Sequence, residues 1–352
     1  MKKIIFAASF LVLIVAGNAQ GSFSLTEGVP SMQYSLPRTE LVFTVEIEKK
    51  TEKPGIFASH AQRYLGGSRI VQEEKIAYSF KGVTMQPRAI PDPARRFSFV
   101  PTVGGSLNKL VVDEQGILLG LNIPMATQLN ETKREVNVVQ ELPVTNYAGL
   151  LPLTREFMMA GTQAKLAEGA ASQIYDIRAS RLALLAGDMD KTPDAETLKI
   201  MLKGLDQKER ELTELFIGST LTETEYHVIA VIPEKDKLRD ILFRLSAKRG
   251  VVAKDDLGGE PFHVTYLPER IPMNAADADA TKRRTADPIG LYTVVPAQTM
   301  IRVGDGVRTF FESSLYIPQL GEITGMSESV LKTPQIRITI HPETGRLLKI
   351  DF

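Results

Sequence analysis

The sequence predicts an α+β fold in which β-rich N- and C-terminal regions flank a long antiparallel helical hairpin. Three observations carry this expectation. Leu41, Phe43, Val45 and Ile47 alternate with polar residues at the period of a half-buried strand, and similar runs recur after Gly218. Between about Thr162 and Gly218 the apolar residues recur instead at three and four, the period of a helix. Near the middle of that stretch stand Gly187, Thr192, Pro193 and Asp194, a helix stop followed closely by a helix start.

The chain has 352 residues, with 42 Lys plus Arg against 42 Asp plus Glu, 43% hydrophobic content, four His and no Cys or Trp. Such a composition belongs to a folded globular chain, and the length suits about two domains. The missing cysteines exclude a disulfide framework, a thiolate zinc site, an iron–sulfur cluster and a cysteine nucleophile. Met1-Lys-Lys3, an apolar run from Ile4 to Ala16 and the small residues Gly17, Asn18 and Ala19 have the layout of a secretory signal peptide. That run is too short to span a bilayer, which needs about 20 apolar residues. Gln20 rather than cysteine follows Ala19, so the expected product is exported, periplasmic or extracellular, and not lipid-anchored. No membrane span is expected after cleavage. Without Lys2 and Lys3 the balance is 40 basic against 42 acidic residues, a net of −2 that offers no field for nucleic acid or an anionic membrane.

Segmentation follows the change of period: leader 1–19, a β-rich region 20–153, the hairpin 154–219 and a β-rich domain 220–352. Pro54 and Gly55 end the first strand, and a short helix over Ile56–Leu65 is expected to stop at Gly66 and Gly67. Shorter strands are expected over 75–80, 97–100, 110–112 and 117–121, with Pro87, Pro91, Pro93 and Pro101 in loops between some of them. The first long helix should end at Gly187, and the second should start with Thr192 as N-cap and Pro193 in its first turn. Six more strands are expected between Tyr226 and Ile340, and 274–287, nearly free of apolar residues, reads as a mobile loop. Asp113-Glu-Gln-Gly116 and Pro342-Glu-Thr-Gly345 each sit between apolar runs as β-hairpin turns. Common turn chemistry explains that echo slightly better than an internal duplication.

Tyr34-Ser-Leu-Pro37, Lys53-Pro-Gly55, Tyr64-Leu-Gly66, Ile174-Tyr-Asp-Ile-Arg178, Arg181-Leu-Ala-Leu-Leu185 with Gly187-Asp188, Leu212-Thr-Glu-Leu-Phe216 and Ile317-Pro-Gln-Leu-Gly321 form a further pattern over most of the mature chain. In these motifs the sequence resembles domain of unknown function family 4831, an exported Bacteroidota family. The resemblance implies a cell-envelope setting in an anaerobic gut bacterium, and it carries no assigned activity or catalytic residue.

Motifs for chemistry are sparse. His60, His227, His263 and His341 have no zinc-binding spacing, and no cofactor is expected. Asp188, Asp190, Thr192 and Asp194 begin like a calcium loop, but Pro193 and Lys199 stand where glycine and glutamate are required. Ser106-Leu-Asn-Lys109 matches a four-letter nucleophile motif without its companions. The hairpin is the informative element. Ile174, Ile177, Leu182, Leu184 and Leu185 fill one half of the first helical wheel, and Arg178 and Arg181 fall in the same arc. In the second helix Glu209 interrupts Leu198, Met201, Leu202, Leu205, Leu212 and Phe216. Tyr175, Arg178, Arg181 and Glu209 are therefore a candidate buried polar cluster, read first as a structural ion network and second as a polar pocket or partner-binding groove. A symmetric turn near 190 sets Arg178 about 12 Å from Glu209 along the axis, so separate partners are expected for the charges.

The expected function is a non-catalytic, exported envelope protein with a binding or scaffolding role, its hairpin docked on or between the β domains. Its partner would be an unknown envelope protein or a small ligand. A carboxylate-dependent periplasmic hydrolase and an adaptor-like subunit of an envelope complex are the alternatives. The adaptor reading requires a hairpin that projects into solvent, against the wide apolar stripe. Intact-mass analysis of the exported protein should find cleavage after Ala19, with Gln20 first; a retained Met1 would contradict it.

Overall fold

The computed structural model describes residues 23–26, 29–66, 69–103, 106–124, 161–187, 194–269 and 290–352. The leader, the calcium-like residues 188–192 and the loop 274–287 lie outside them. An α+β architecture is observed, with an antiparallel helix pair between β-sheets.

The organising element is β2 (Val29–Lys53), a strand of 25 residues. Leu41, Phe43, Val45 and Ile47 point from it into the core and are fully buried, as alternation requires. One edge of β2 pairs along nearly its whole length with β3 (Lys75–Phe99). The other edge is divided: β1 (Phe23–Thr26) takes the start, β8 (Ser219–Val231) takes residues 41–53, and side-chain and backbone groups fill the gap. There Ser35 N–H donates to Gly116 O at 2.9 Å, and the Gln319 amide bonds both the N–H and the C=O of Thr39, at 2.9 and 2.7 Å. Gln319 thus stands in for a strand.

A continuous β3 differs from the two short strands and loops expected over 75–100. Pro87 and Pro91 face Leu41 and Pro37 in the ladder. Among the described residues β3 has no second neighbour in this sheet, and proline, which lacks an N–H to give, is tolerated at such an edge.

Five antiparallel strands form the second sheet in the order β10 (Gly250–Val252), β9 (Arg239–Ser246), β11 (Glu260–Pro268), β12 (Tyr292–Gly304) and β13 (Thr309–Gly325). It packs face to face on β2 and β3 through one apolar core. Phe80 of β3 enters this sheet's aromatic group, with ring centroids 4.8 Å from Phe262 and 4.7 Å from Phe310.

The two echoing turns are both β-hairpins, and they meet. β6 (Leu110–Val112) and β7 (Leu118–Leu121) pair through β7 with β14 (Arg337–Ile340), which pairs with β15 (Leu347–Asp351). Strands from before and after the helical hairpin therefore share this sheet, as β2 and β8 share theirs. The changes of period at 153 and 219 mark changes of element, while the sheets interleave across them. This third sheet encloses a second core with Tyr34, Leu36 and Phe99 from the far ends of β2 and β3, together with Tyr292 and Val294. Tyr34 accepts from Tyr292 N–H at 2.7 Å and donates to Gly290 O at 2.9 Å. Burial pushes its phenol pKa far up, so it remains a neutral group able to do both. The small elements β4 (Thr102–Val103) and β5 (Ser106–Leu107) place Ser106 on a strand, where the four-residue motif lacks its helical turn.

A 3₁₀ turn (Ala58–His60) and helix α1 (Ala61–Leu65) replace the single short helix expected, ending at Gly66 with φ 61°. Helix α2 (Gln163–Ala186) is capped by Thr162, whose hydroxyl accepts from Lys165 N–H, and stops at Gly187 with φ 72°. Helix α3 (Ala195–Ile217) starts two residues later than expected. Asp194, not Thr192, is its N-cap, because the carboxylate accepts from the N–H groups of Glu196 and Thr197. A third core joins α1 to the lower part of the hairpin: Phe57 and Ala61 meet Ala167, Ala170, Ala171, Ile174, Leu212, Leu215 and Phe216. Main-chain bonds seal it, Phe57 N–H to Leu215 O at 2.7 Å and Val71 N–H to Ile217 O at 2.9 Å.

Gly55 permits this contact, since a Cβ there would stand 2.3 Å from the Leu215 carbonyl oxygen. Gly55→Ala should therefore cost about 2–3 kcal/mol in urea melts, a typical overpacking penalty. Gly82→Ala, where the nearest atom is 3.9 Å away, should change little.

Candidate functional site

The hairpin has two unlike halves. Near its base, alanines at 167, 170 and 171 let α3 and α1 approach closely, and Leu212, Leu215 and Phe216 fill the space left. Beyond about Arg178 it leaves its own protein. Leu182, Leu185 and Ile200 are each more than 60% exposed. The wide apolar stripe was expected to pack the hairpin on its own protein; the base does so, and the stripe turns to solvent in the outer half. The alanines that make the real contact were missed, since alanine adds little to an apolar wheel.

At the junction of the halves the structure brings Tyr175, Arg178, Arg181 and Glu209 together. Arg178 Nε lies 2.7 Å from Glu209 Oε1, and Arg181 Nη1 lies 3.3 Å from Glu209 Oε2 and 3.0 Å from Asp206 Oδ1. The Arg178 guanidinium also sits 5.7 Å from the centre of the Tyr175 ring, whose hydroxyl donates to Tyr64 O at 2.5 Å. Direct pairing replaces the separate partners expected, because the helices are offset along their axes and arginine is long. Asp206 joins as a member the wheel did not single out. Burial is partial: the Arg178, Arg181 and Glu209 side chains are 44, 43 and 17% exposed. The network latches the base of the hairpin to α1 through Tyr175 and Tyr64.

The most buried arginine pair is elsewhere. Arg95, 14% exposed, donates to Pro318 O at 2.9 Å and Gln319 O at 3.1 Å beside Asp92. Burial pulls its pKa down and the Asp92 carboxylate opposes this. Pro91 and Pro93, on either side of Asp92, hid this pair as an apparent loop.

Across the hairpin tip, Ser180, Ala183, Leu184, Met201, Gly204 and Leu205 line an open apolar groove of about 520 Å³. Three of these residues, Ser180, Ala183 and Gly204, are small. A Cβ added to Gly204 would meet nothing within 4 Å, so the fold itself does not require that glycine. The available signal was a glycine within an otherwise good helix, where it costs about 1 kcal/mol against alanine.

Glu223 and Glu225 are the adjacent carboxylates that bear on the hydrolase alternative. They lie on one face of β8, 3.9 and 3.4 Å from Lys49 Nζ, sharing that ammonium on an open strand. Acid and base of a glycosidase instead face each other across a bound substrate. Among the described residues no three His, Asp or Glu side chains gather as a metal site, and no helix is long and apolar enough to cross a membrane.

Interleaved antiparallel sheets with an antiparallel helix pair between them define an α+β protein. The chain belongs to the family described as domain of unknown function (DUF4831), whose model matches residues 30–348. No curated protein matches it, and no solved structure does.

Because the charged network is half exposed, Arg178→Ala should cost only about 0.5–1 kcal/mol in urea melts. Glu209→Ala should cost more, about 1–2 kcal/mol, since it strands two guanidinium groups. A loss near 3 kcal/mol for Arg178→Ala would mean that the cluster is closed over in solution.

Proposed function

We propose that the protein is exported to the cell envelope and acts there without catalysis, docking a partner protein on the outer half of its hairpin. The leader pattern supports export. Docking rests chiefly on Gly204, which costs helix stability, is not needed by this chain's own packing, and keeps a groove open between α2 and α3. Met201, which lines that groove, and Ile200 beside it on α3 are exposed, and apolar exposure of this kind marks interaction surfaces. The chemistry suits an apolar helix ridge laid into a groove lined in part by small residues. Projection into solvent also favours the adaptor-like reading, in which such a hairpin joins one envelope subunit to another.

Two substitutions test this with opposite signatures. Gly204→Ala should raise the melting temperature by about 2 °C, through helix propensity alone. Gly204→Leu fills the groove and should leave the fold intact while abolishing partner capture by a photo-crosslinker placed at Ser180 of the exported protein. Capture that survives Gly204→Leu, or crosslinks equally from the exposed position Lys165, would overturn the reading.

A further inference from the structure

The outer edge of β8 is a second surface, independent of the hairpin. All thirteen residues of β8 pair with β2 in unbroken register, from Leu41↔Val231 to Lys53↔Ser219, and among the described residues no strand pairs with its other side. Long regular edges invite pairing, and soluble proteins usually blunt them with lysine, proline or a bulge. The run STLTETEYHVIAV has no lysine, proline or bulge, and its two charges, Glu223 and Glu225, are both taken up by Lys49 of the neighbouring strand. Tyr226 and Val228 stand about half exposed on its outer face, and Leu221 is exposed at its start. On the inner face His227 Nε2 lies 3.6 Å from Glu225 Oε2, beyond hydrogen-bond range, and has no hydrogen-bond partner among the described residues.

We infer that β8 pairs with the β8 of a second copy of this chain, antiparallel about a two-fold axis perpendicular to the sheet and centred on Tyr226. Such an axis keeps the core faces of both sheets on one side, so only residues of like face can oppose each other. Charge then selects the register. Centring on Glu225 would set that residue against its own copy, and centring on Thr224 would set Glu223 against Glu225 twice. Centring on His227 opposes two histidines and sets Glu225 against Ile229 and Glu223 against Val231. Centring on Tyr226 places Glu225 opposite His227 of the other copy twice, Tyr226 against Tyr226, Thr224 against Val228, Glu223 against Ile229 and Leu221 against Val231. A carboxylate facing an imidazole N–H and apolar pairs directly across a ladder stabilise it, and like charges oppose it. The product is one continuous sheet, β3-β2-β8-β8-β2-β3, with the hairpins outside the new ladder.

The absence of cysteine makes the test clean. Full-length mature protein should sediment as a dimer. Residues directly opposed across an antiparallel ladder have Cα atoms about 4.5–5.5 Å apart, within disulfide range. Tyr226→Cys should therefore oxidise to a covalent dimer within minutes. Thr222→Cys, whose two copies would be about 27 Å apart, should not. Mixing Thr222→Cys with Ala230→Cys should restore cross-linking, because these positions oppose each other. His227→Glu should weaken the dimer roughly tenfold, and adding Glu225→His should recover it. Melting curves verify that each variant is folded. A monomer at 100 μM, or a dimer in which Tyr226→Cys cross-links no faster than Thr222→Cys, would overturn the inference.

Discussion

One strand serving two cores is the constraint on which this structure depends. The outer two thirds of β2 bury Leu41, Phe43, Val45 and Ile47 against the five-stranded sheet, while Tyr34 and Leu36 bury themselves under the sheet formed by the two short hairpins. A register shift between Ser35 and Pro37 separates these stretches. Shifts of this kind bend a strand and re-aim its side chains, which lets one chain segment enter two cores. The same point receives both hairpin turns: Gly116 O accepts from Ser35 N–H, and a Cβ on Gly345 would stand 3.0 Å from the Pro37 ring. Tyr34 then fastens the region to β12 with two hydrogen bonds.

The helical hairpin inherits its position from β2. Lys53 ends the strand, Gly55 makes room for the Leu215 carbonyl, and Gly218 turns α3 directly into β8, which runs back along β2. Gly218 adopts φ 90° with the Lys53 carbonyl oxygen 2.4 Å from where a Cβ would sit, a place only glycine fills. Hairpin and sheet are thus joined at both ends of one short stretch, and the third core fills the corner. Because the base is held by apolar burial, the half-exposed charges at its upper margin add direction more than stability. Among the described residues the outer half has no such burial, and one helix contacts the other there. It is the part of the molecule whose shape owes least to its own core.

Much of this was legible in the sequence. The alternation around Leu41–Ile47, the helical period, the stops at Gly66 and Gly187 and both hairpin turns appear where local rules place them, since each depends on a side chain and its own backbone. Tyr175, Arg178, Arg181 and Glu209 were legible as a group because helical periodicity brings them to one face. Their pairing and half-exposure were not, as these depend on the offset between helices and on how far the body reaches along them. Arg95 was missed for a related reason: Pro91 and Pro93 read locally as a loop, while a free sheet edge tolerates them.

The sequence by itself determined the local elements, their order, their caps and the absence of cysteine chemistry, because propensity and periodicity act over a few residues. Only the tertiary structure decided that β2 divides itself between two cores, that sheets interleave across the hairpin, and that Gln319 completes the edge of a strand 280 residues away. It also decided where the hairpin leaves the body and which edge of β8 has no strand beside it among the described residues. Those features arise from which surfaces meet across long separations, and a surface left uncovered has the same local sequence as one that is covered.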